Sequence, residues 1–175
     1  YDTLLAGRTT MAAEMRKFIT SSEPLNTLRK NVTAKIKARE AMEETSIDEI
    51  LDGQINRQLM ESKTGQQIQQ LLEARTNPKL EPFQLTTIDN QIALKTDILN
   101  DQRKFAKTVF DLQTGRLSKK EQKDFSSKPS NFARFTVTDP DSKQFKVRLF
   151  DLDESLTINP KSVVEDAKRV AAANN

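Results

Sequence analysis

Residues 135–149 read F-T-V-T-D-P-D-S-K-Q-F-K-V-R-L. Phe135 and Val137 alternate with Thr136 and Thr138, and Phe145, Val147 and Leu149 alternate with Lys146 and Arg148. A period of two puts each apolar set on one face of a strand. Between them, Asp139-Pro140-Asp141-Ser142 has Asp first and Pro second, the pattern of a type I turn. The stretch predicts an antiparallel β-hairpin with one apolar face. A two-stranded hairpin is marginal in water, so its Phe face needs something to lie on.

Upstream, the apolar spacing is helical. A linker, Ser126-Ser127-Lys128-Pro129-Ser130, separates the two patterns. Before it, Ser118-Lys119-Lys120-Glu121 is a capping box that opens a short helix to about Phe125. Gly115 is placed as the C-terminal cap of a long helix opening at Thr86 or Thr87. That helix carries two stripes, one through Ile88, Ile92, Leu99, Ala106 and Phe110, the other through Leu94, Ile98, Phe105, Val109 and Leu112. Lys79 to Gln84 reads as a loop after the stop Asn77-Pro78.

Further back, Ser46-Ile47-Asp48-Glu49 matches a second capping box. Behind it lie Ile47, Ile50, Leu51, Ile55 and Leu59, then Ile68, Leu71 and Leu72; Gly53 and Gly65 fall inside this span and leave open either one continuous helix or a break near Ser62–Gly65. Ser21-Ser22-Glu23-Pro24 starts the preceding helix, whose stripe is Leu25, Leu28, Val32, Ile36 and Met42, ending near Glu44. Arg29, Lys30, Lys35, Lys37 and Arg39 give it a basic face. A first helix is expected from about Thr10 to Ile19. The opening residues from Tyr1 to Gly7 have no charged region followed by an apolar block, so no signal peptide is expected there.

Downstream of the hairpin, Asn159-Pro160 precedes a last helix from Lys161 to Ala173. Between them, residues 151–157 read D-L-D-E-S-L-T. An apolar strand followed by D-x-D-x-S-L resembles the first motif of haloacid-dehalogenase-type phosphatases. That resemblance implies a nucleophile at Asp151, a general acid/base at Asp153 and a neighbouring Mg²⁺. Glu154 stands where the family has Gly, and only 22 residues follow Asp153. Those are too few for a parallel sheet with crossover helices. The segment therefore reads as an acidic turn at the end of a strand, and no catalytic residue, metal ligand or cofactor is assigned.

Composition narrows the chemistry. Among 175 residues there is no Cys, His or Trp. A Cys nucleophile, a Ser-His-Asp triad and a disulfide scaffold are excluded, and so is a structural zinc site of the Cys/His type. Apolar residues are 35% and charged residues 30%, with a formal net charge of +3. The chain can bury a core, but a thin one for its length. No stretch approaches the roughly 20 apolar residues that span a bilayer, so no membrane partner is expected. Two groups of cations could meet nucleic acid: the five on the early helix, and Arg116, Lys119, Lys120, Lys123 and Lys128. Both are interleaved with or followed by acids, which suits a solvated helix face better.

The predicted fold is mainly α, with several amphipathic helices, two of them long, a C-terminal antiparallel β-hairpin and a terminal helix. It divides into a helical region, 1–125, and a β-hairpin plus C-terminal helix, 126–175. Over its whole length this chain, free of Cys, His and Trp and with Gln/Asn/Thr-rich helices, resembles minor structural proteins of tailed bacteriophages. The resemblance implies a tail, baseplate-hub or head-interior component, in the virion or the cytoplasm, and transfers no site residue. The expected function is that of a non-enzymatic assembly subunit binding other protein subunits. The alternative is a helical nucleic-acid-binding accessory factor. The residues expected to make contacts are Ile50, Leu51, Ile55, Leu59, Ile68, Leu71 and Leu72 on the helices and Phe135, Val137, Phe145, Val147 and Leu149 on the hairpin. Each of them serves equally well as intramolecular core.

Overall fold

The computed structural model describes residues 23–174. The helix expected from Thr10 to Ile19 lies outside them. Helix α1 runs unbroken from Glu23 to Glu61, 39 residues. The capping box at Ser46 is therefore not a helix start. Ser46 sits buried in mid-helix, next to buried Ile47. The reason is cooperativity. The run Ala41-Met42-Glu43-Glu44 favours helix, and lengthening a helix already formed costs far less than nucleating a new one.

Ser62 alone separates α1 from α2, Lys63–Arg75, so of the two alternatives the sequence leaves open the break is the one found. The Ser62 hydroxyl accepts from the Gly65 N–H at 3.1 Å and donates to the Leu59 carbonyl. Helix α3, Pro82–Gln113, begins earlier than Thr86. Pro82 fits the first helical position, where no N–H is needed, and Gln84 Oε1 accepts from the Glu81 N–H at 2.8 Å. Thr86 and Thr87 turn their hydroxyls back onto the carbonyls of Pro82 and Phe83 and cap nothing.

Helices α2 and α3 run antiparallel, joined by the Arg75–Asp89 ion pair at 2.6 Å and by Lys95 Nζ donating to Gln67 Oε1 at 2.7 Å. Helix α3 also runs antiparallel to α1, with Lys107 paired to Asp52 and Arg116, just past the end of α3, paired to Glu44. Gly115 takes the left-handed conformation, φ 71°, as a C-terminal cap requires. Helix α4, Lys119–Ser126, opens with both halves of the Ser118 box: Glu121 N–H to Ser118 Oγ and Ser118 N–H to Glu121 Oε1, each 3.1 Å.

A single turn of helix, α5 (Asn131–Arg134), leads into the sheet. Strands β1 (Phe135–Asp139), β2 (Gln144–Arg148) and β3 (Ser155–Ile158) pair antiparallel in that order. The expected hairpin is β1–β2, with Phe135 opposite Val147 and Val137 opposite Phe145. Asp139 holds the turn by accepting from the Asp141 N–H at 3.2 Å and the Ser142 hydroxyl at 2.8 Å. The third strand is a correction to the two-stranded expectation. Leu156 and Ile158 point into the core across from Val147 and Phe145. Helix α6, Pro160–Ala173, follows, capped by Asn159 Oδ1 accepting from the Ser162 N–H at 3.1 Å.

The core is one cluster. It joins Ile47, Leu51, Ile55 and Leu59 of α1, the Leu99–Phe110 segment of α3, Phe145 and Val147 of β2, Leu156 and Ile158 of β3, and Val163 and Ala167 of α6. It draws on both stretches that composition separates at residue 125. Helix α6 packs along α1, and β3 meets α1 through Gln58. The Gln58 amide donates to the Thr157 carbonyl and accepts from the Thr157 N–H, both at 2.8 Å. This side chain stands in for a further strand and closes the β3 edge.

Candidate functional site

Met60, Leu72, Phe83, Val137 and Val170 are exposed at scattered positions, while two surfaces each gather several large apolar side chains in water. The first is the N-terminal half of α1. Every residue from Thr27 to Ala41 is exposed. The packed body is reached only from Met42 onward, where Glu44 meets Arg116 and Ile47 is buried. At about 1.5 Å per residue this arm projects some 22 Å. Along it Leu28, Val32 and Ile36 are 58%, 49% and 54% exposed. They lie four apart, so they form one row. The same spacing in the same helix, Ile47-Leu51-Ile55-Leu59, falls to 8%, 2%, 0% and 1%.

The second surface is a cleft of about 580 Å³ between α3 and the β2–β3 turn, lined by Leu94, Ile98, Ala133, Leu149, Phe150 and Leu152. Phe150 and Leu152 are largely exposed at its mouth. Two of its four charged rim residues, Asp101 and Arg134, are already engaged with each other. Arg134 pairs with Asp101 at 3.1 Å and lies over the Phe105 ring at 3.8 Å. Phe105 stacks on Phe125, Phe132 meets Phe125 edge-on, and Phe135 tilts against Phe132, so the four rings form one aromatic cluster. Phe105 and Phe125 are buried there, as core rather than as platforms for bases.

The acidic turn Asp151–Glu154 has structural work. Glu154 takes the N-terminus of α2, its two oxygens accepting from the Lys63 N–H at 3.1 Å each. That is where a helix dipole favours an anion. Asp151 Oδ1 accepts from the Asp153 N–H at 3.2 Å, and Oδ2 pairs with Lys63 Nζ at 3.2 Å. The Asp153 N–H first, and Lys63 second, hold the Asp151 carboxyl below its ordinary value. Asp151 in turn raises Lys63. The strand ahead of Asp151 is antiparallel to both neighbours, whereas the phosphatase resemblance implies a parallel sheet. Among the described residues no group of three or more acidic side chains is placed to hold a metal ion, and no helix is long and apolar enough to cross a membrane.

The twelve residues expected at contacts separate by burial. Leu51, Ile55, Leu59, Phe145, Val147 and Leu149 are in the chain's own core. Ile50, Ile68 and Phe135 are half-buried against it, and Leu71 is half-buried. Leu72 and Val137 are exposed. The exposed row Leu28, Val32 and Ile36 was assigned to a helix stripe but not to contacts. One signal marks it. From Pro24 to Arg39 there are five cations and no acid. Of the second cation group, Arg116 is tied to Glu44.

No family model, curated protein or solved structure matches this chain.

Proposed function

We propose that the chain is a non-enzymatic assembly subunit that attaches to other protein subunits through the α1 arm. The phage particle is the setting that the whole-chain resemblance implies. The carrying observation is the row Leu28, Val32 and Ile36, exposed on a helix whose other half buries the matching row Ile47, Leu51, Ile55 and Leu59. Contiguous exposed apolar residues on a helical arm are what a partner helix covers. The body supplies the anchor, since the core rows of α1 fix the direction in which the arm leaves it.

A second reading has its own observation. The five cations of the arm, with no acid among them, would suit contacts to phosphates in a nucleic-acid accessory factor.

The test is an Ile36→Asp chain, compared with wild type in sedimented fractions of source cells. In the assembly reading wild type travels with large particles and the variant stays free. The circular dichroism melts of the two proteins match. Equal distribution of both proteins would count against it. Release by moderate salt, with Ile36→Asp indifferent, would favour the nucleic-acid reading.

A further inference from the structure

We infer that the partner of the arm is an amphipathic helix with acidic flanks; the inference rests on the assembly reading above and names the chemistry of the partner. At about 100° per residue, Leu28 and Ile36 lie some 40° to either side of Val32. Lys35 borders the row on the Leu28 side and Arg29 on the Ile36 side, each about 60° from Val32. Lys30 and Lys37 fall on the opposite face. The fifth cation, Arg39, lies in line with the row one turn past Ile36 and pairs with Glu43 at 3.8 Å, so the seam itself keeps one cation along each edge, the arrangement in which flanking charges choose the partner of a paired helix.

Charge excludes the simplest occupant. A second copy laid along the seam would bring Arg29 and Lys35 against Arg29 and Lys35. The acids of α1 begin at Glu40, beyond the seam, so a copy that covers the row does not relieve the repulsion; an antiparallel copy shifted to set Glu43 against Arg29 would set Glu40 against Val32. A helix with Asp or Glu on both edges meets cation with anion on each side while burying Leu28, Val32 and Ile36. A phosphate backbone is a poorer fit. Contact with Arg29 and Lys35 would press three apolar side chains against charged oxygens. A bilayer surface suits a broad apolar face with aromatic anchors. Here Asn31 and Thr33 limit the face to about 80°, and no aromatic residue lies between Asn26 and Ala41.

The buried row of the same helix is centred about a third of a turn away from the seam. A partner therefore lies beside the body, not across the core row. The packed half of the protein is left undisturbed.

The test uses the full chain as its own probe. An Arg29→Glu/Lys35→Glu variant presents the same seam with acidic edges. In sedimentation velocity, wild type alone and variant alone are expected to remain monomers. Their mixture is expected to form a 1:1 dimer at least about tenfold tighter than either self-association. Ile36→Asp in either partner returns the mixture to monomers. A mixture that stays monomeric overturns the inference. So does wild type that dimerises alone through Ile36, which would make a second copy the occupant. So does pairing that appears only after residues 1–22 are deleted, since the chain's own N-terminal segment would then be the occupant. Wild type that binds phosphatidylserine vesicles or single-stranded DNA, with the charge-reversed variant failing to bind, also overturns it. The two proposals separate in the particle assay. If Ile36→Asp is released and Arg29→Glu/Lys35→Glu is retained, the assembly reading stands and the acidic partner falls. If both variants are retained, both proposals fall.

Discussion

The two halves of α1 carry the same kind of row in opposite surroundings. Ile47, Leu51, Ile55 and Leu59 are enclosed by α3, α6 and the sheet. Leu28, Val32 and Ile36 repeat the spacing in water. Spacing decides which residues share a face; it does not decide what, if anything, covers that face. Cover comes from elements far along the chain. The anchored half meets strands and a helix supplied by residues 144–173. Among the described residues nothing is left to reach the arm.

The sharpest way to break this comparison is to truncate one residue of each row. Ile55→Ala opens a hole beneath β3 and α6, and should cost about 2–5 kcal/mol. Ile36→Ala should change stability by less than about 0.5 kcal/mol, as exposed sites do. Denaturant titration of both variants checks it; equal losses would mean that the arm row is packed as well.

A smaller contrast uses two glycines. A Cβ at Gly65 would lie 2.2 Å from the Leu59 carbonyl oxygen, so the α1–α2 junction would have to open. Gly65→Ala should destabilise by about 1–3 kcal/mol. At Gly53 a Cβ meets nothing within 4 Å. Gly53→Ala should stabilise by about 0.5–1 kcal/mol, because α1 is a plain helix there. Thermal melts of the pair give opposite signs if α1 continues straight through the body and stops at Ser62.

Gln58 tests how the anchored half holds the sheet. Gln58→Ala removes both bonds to Thr157 and leaves the outer edge of β3 unsatisfied. About 1–3 kcal/mol is expected, with faster hydrogen exchange at the Thr157 amide and no change in the arm.

The smallest effect sits at the root of the arm. Burial raises the Asp111 carboxyl above its ordinary value. Arg116 pulls it back, while Asp48, Glu121 and Glu44 push the same way as burial. An acid so raised favours the fold in its protonated form. That contribution is full below the unfolded carboxylate range, about pH 4, and is lost as pH climbs through the raised value. Asp111→Asn stays neutral throughout. Its melting temperature should exceed wild type at pH 7, and the difference should vanish in acid. A lower melting temperature at pH 7 would show that the Arg116 attraction dominates.

Much of the fold was legible in local chemistry. The change of period at Phe135, the Ser118 box, Gly115 and the Asn159-Pro160 start each act within a few residues, and each is found where expected. Strand β3 was not legible, because it offers only Leu156 and Ile158 as an alternation and follows directly on an acidic turn. Ser46 misled for the converse reason. Its local pattern is a good cap, but the helix was already running. Of the candidate surface, the row itself was legible and its exposure was not. Exposure depends on which residues of the chain fold over it, while the run of cations from Arg29 to Arg39 was the one local sign that this half differs from the next.

Native-state hydrogen exchange along α1 of the isolated chain tests the central claim most directly. If the arm awaits a partner, amides from Thr27 to Arg39 should exchange orders of magnitude faster than those from Leu51 to Leu59, which should approach the global unfolding limit. Uniform protection from one end of α1 to the other would contradict the account.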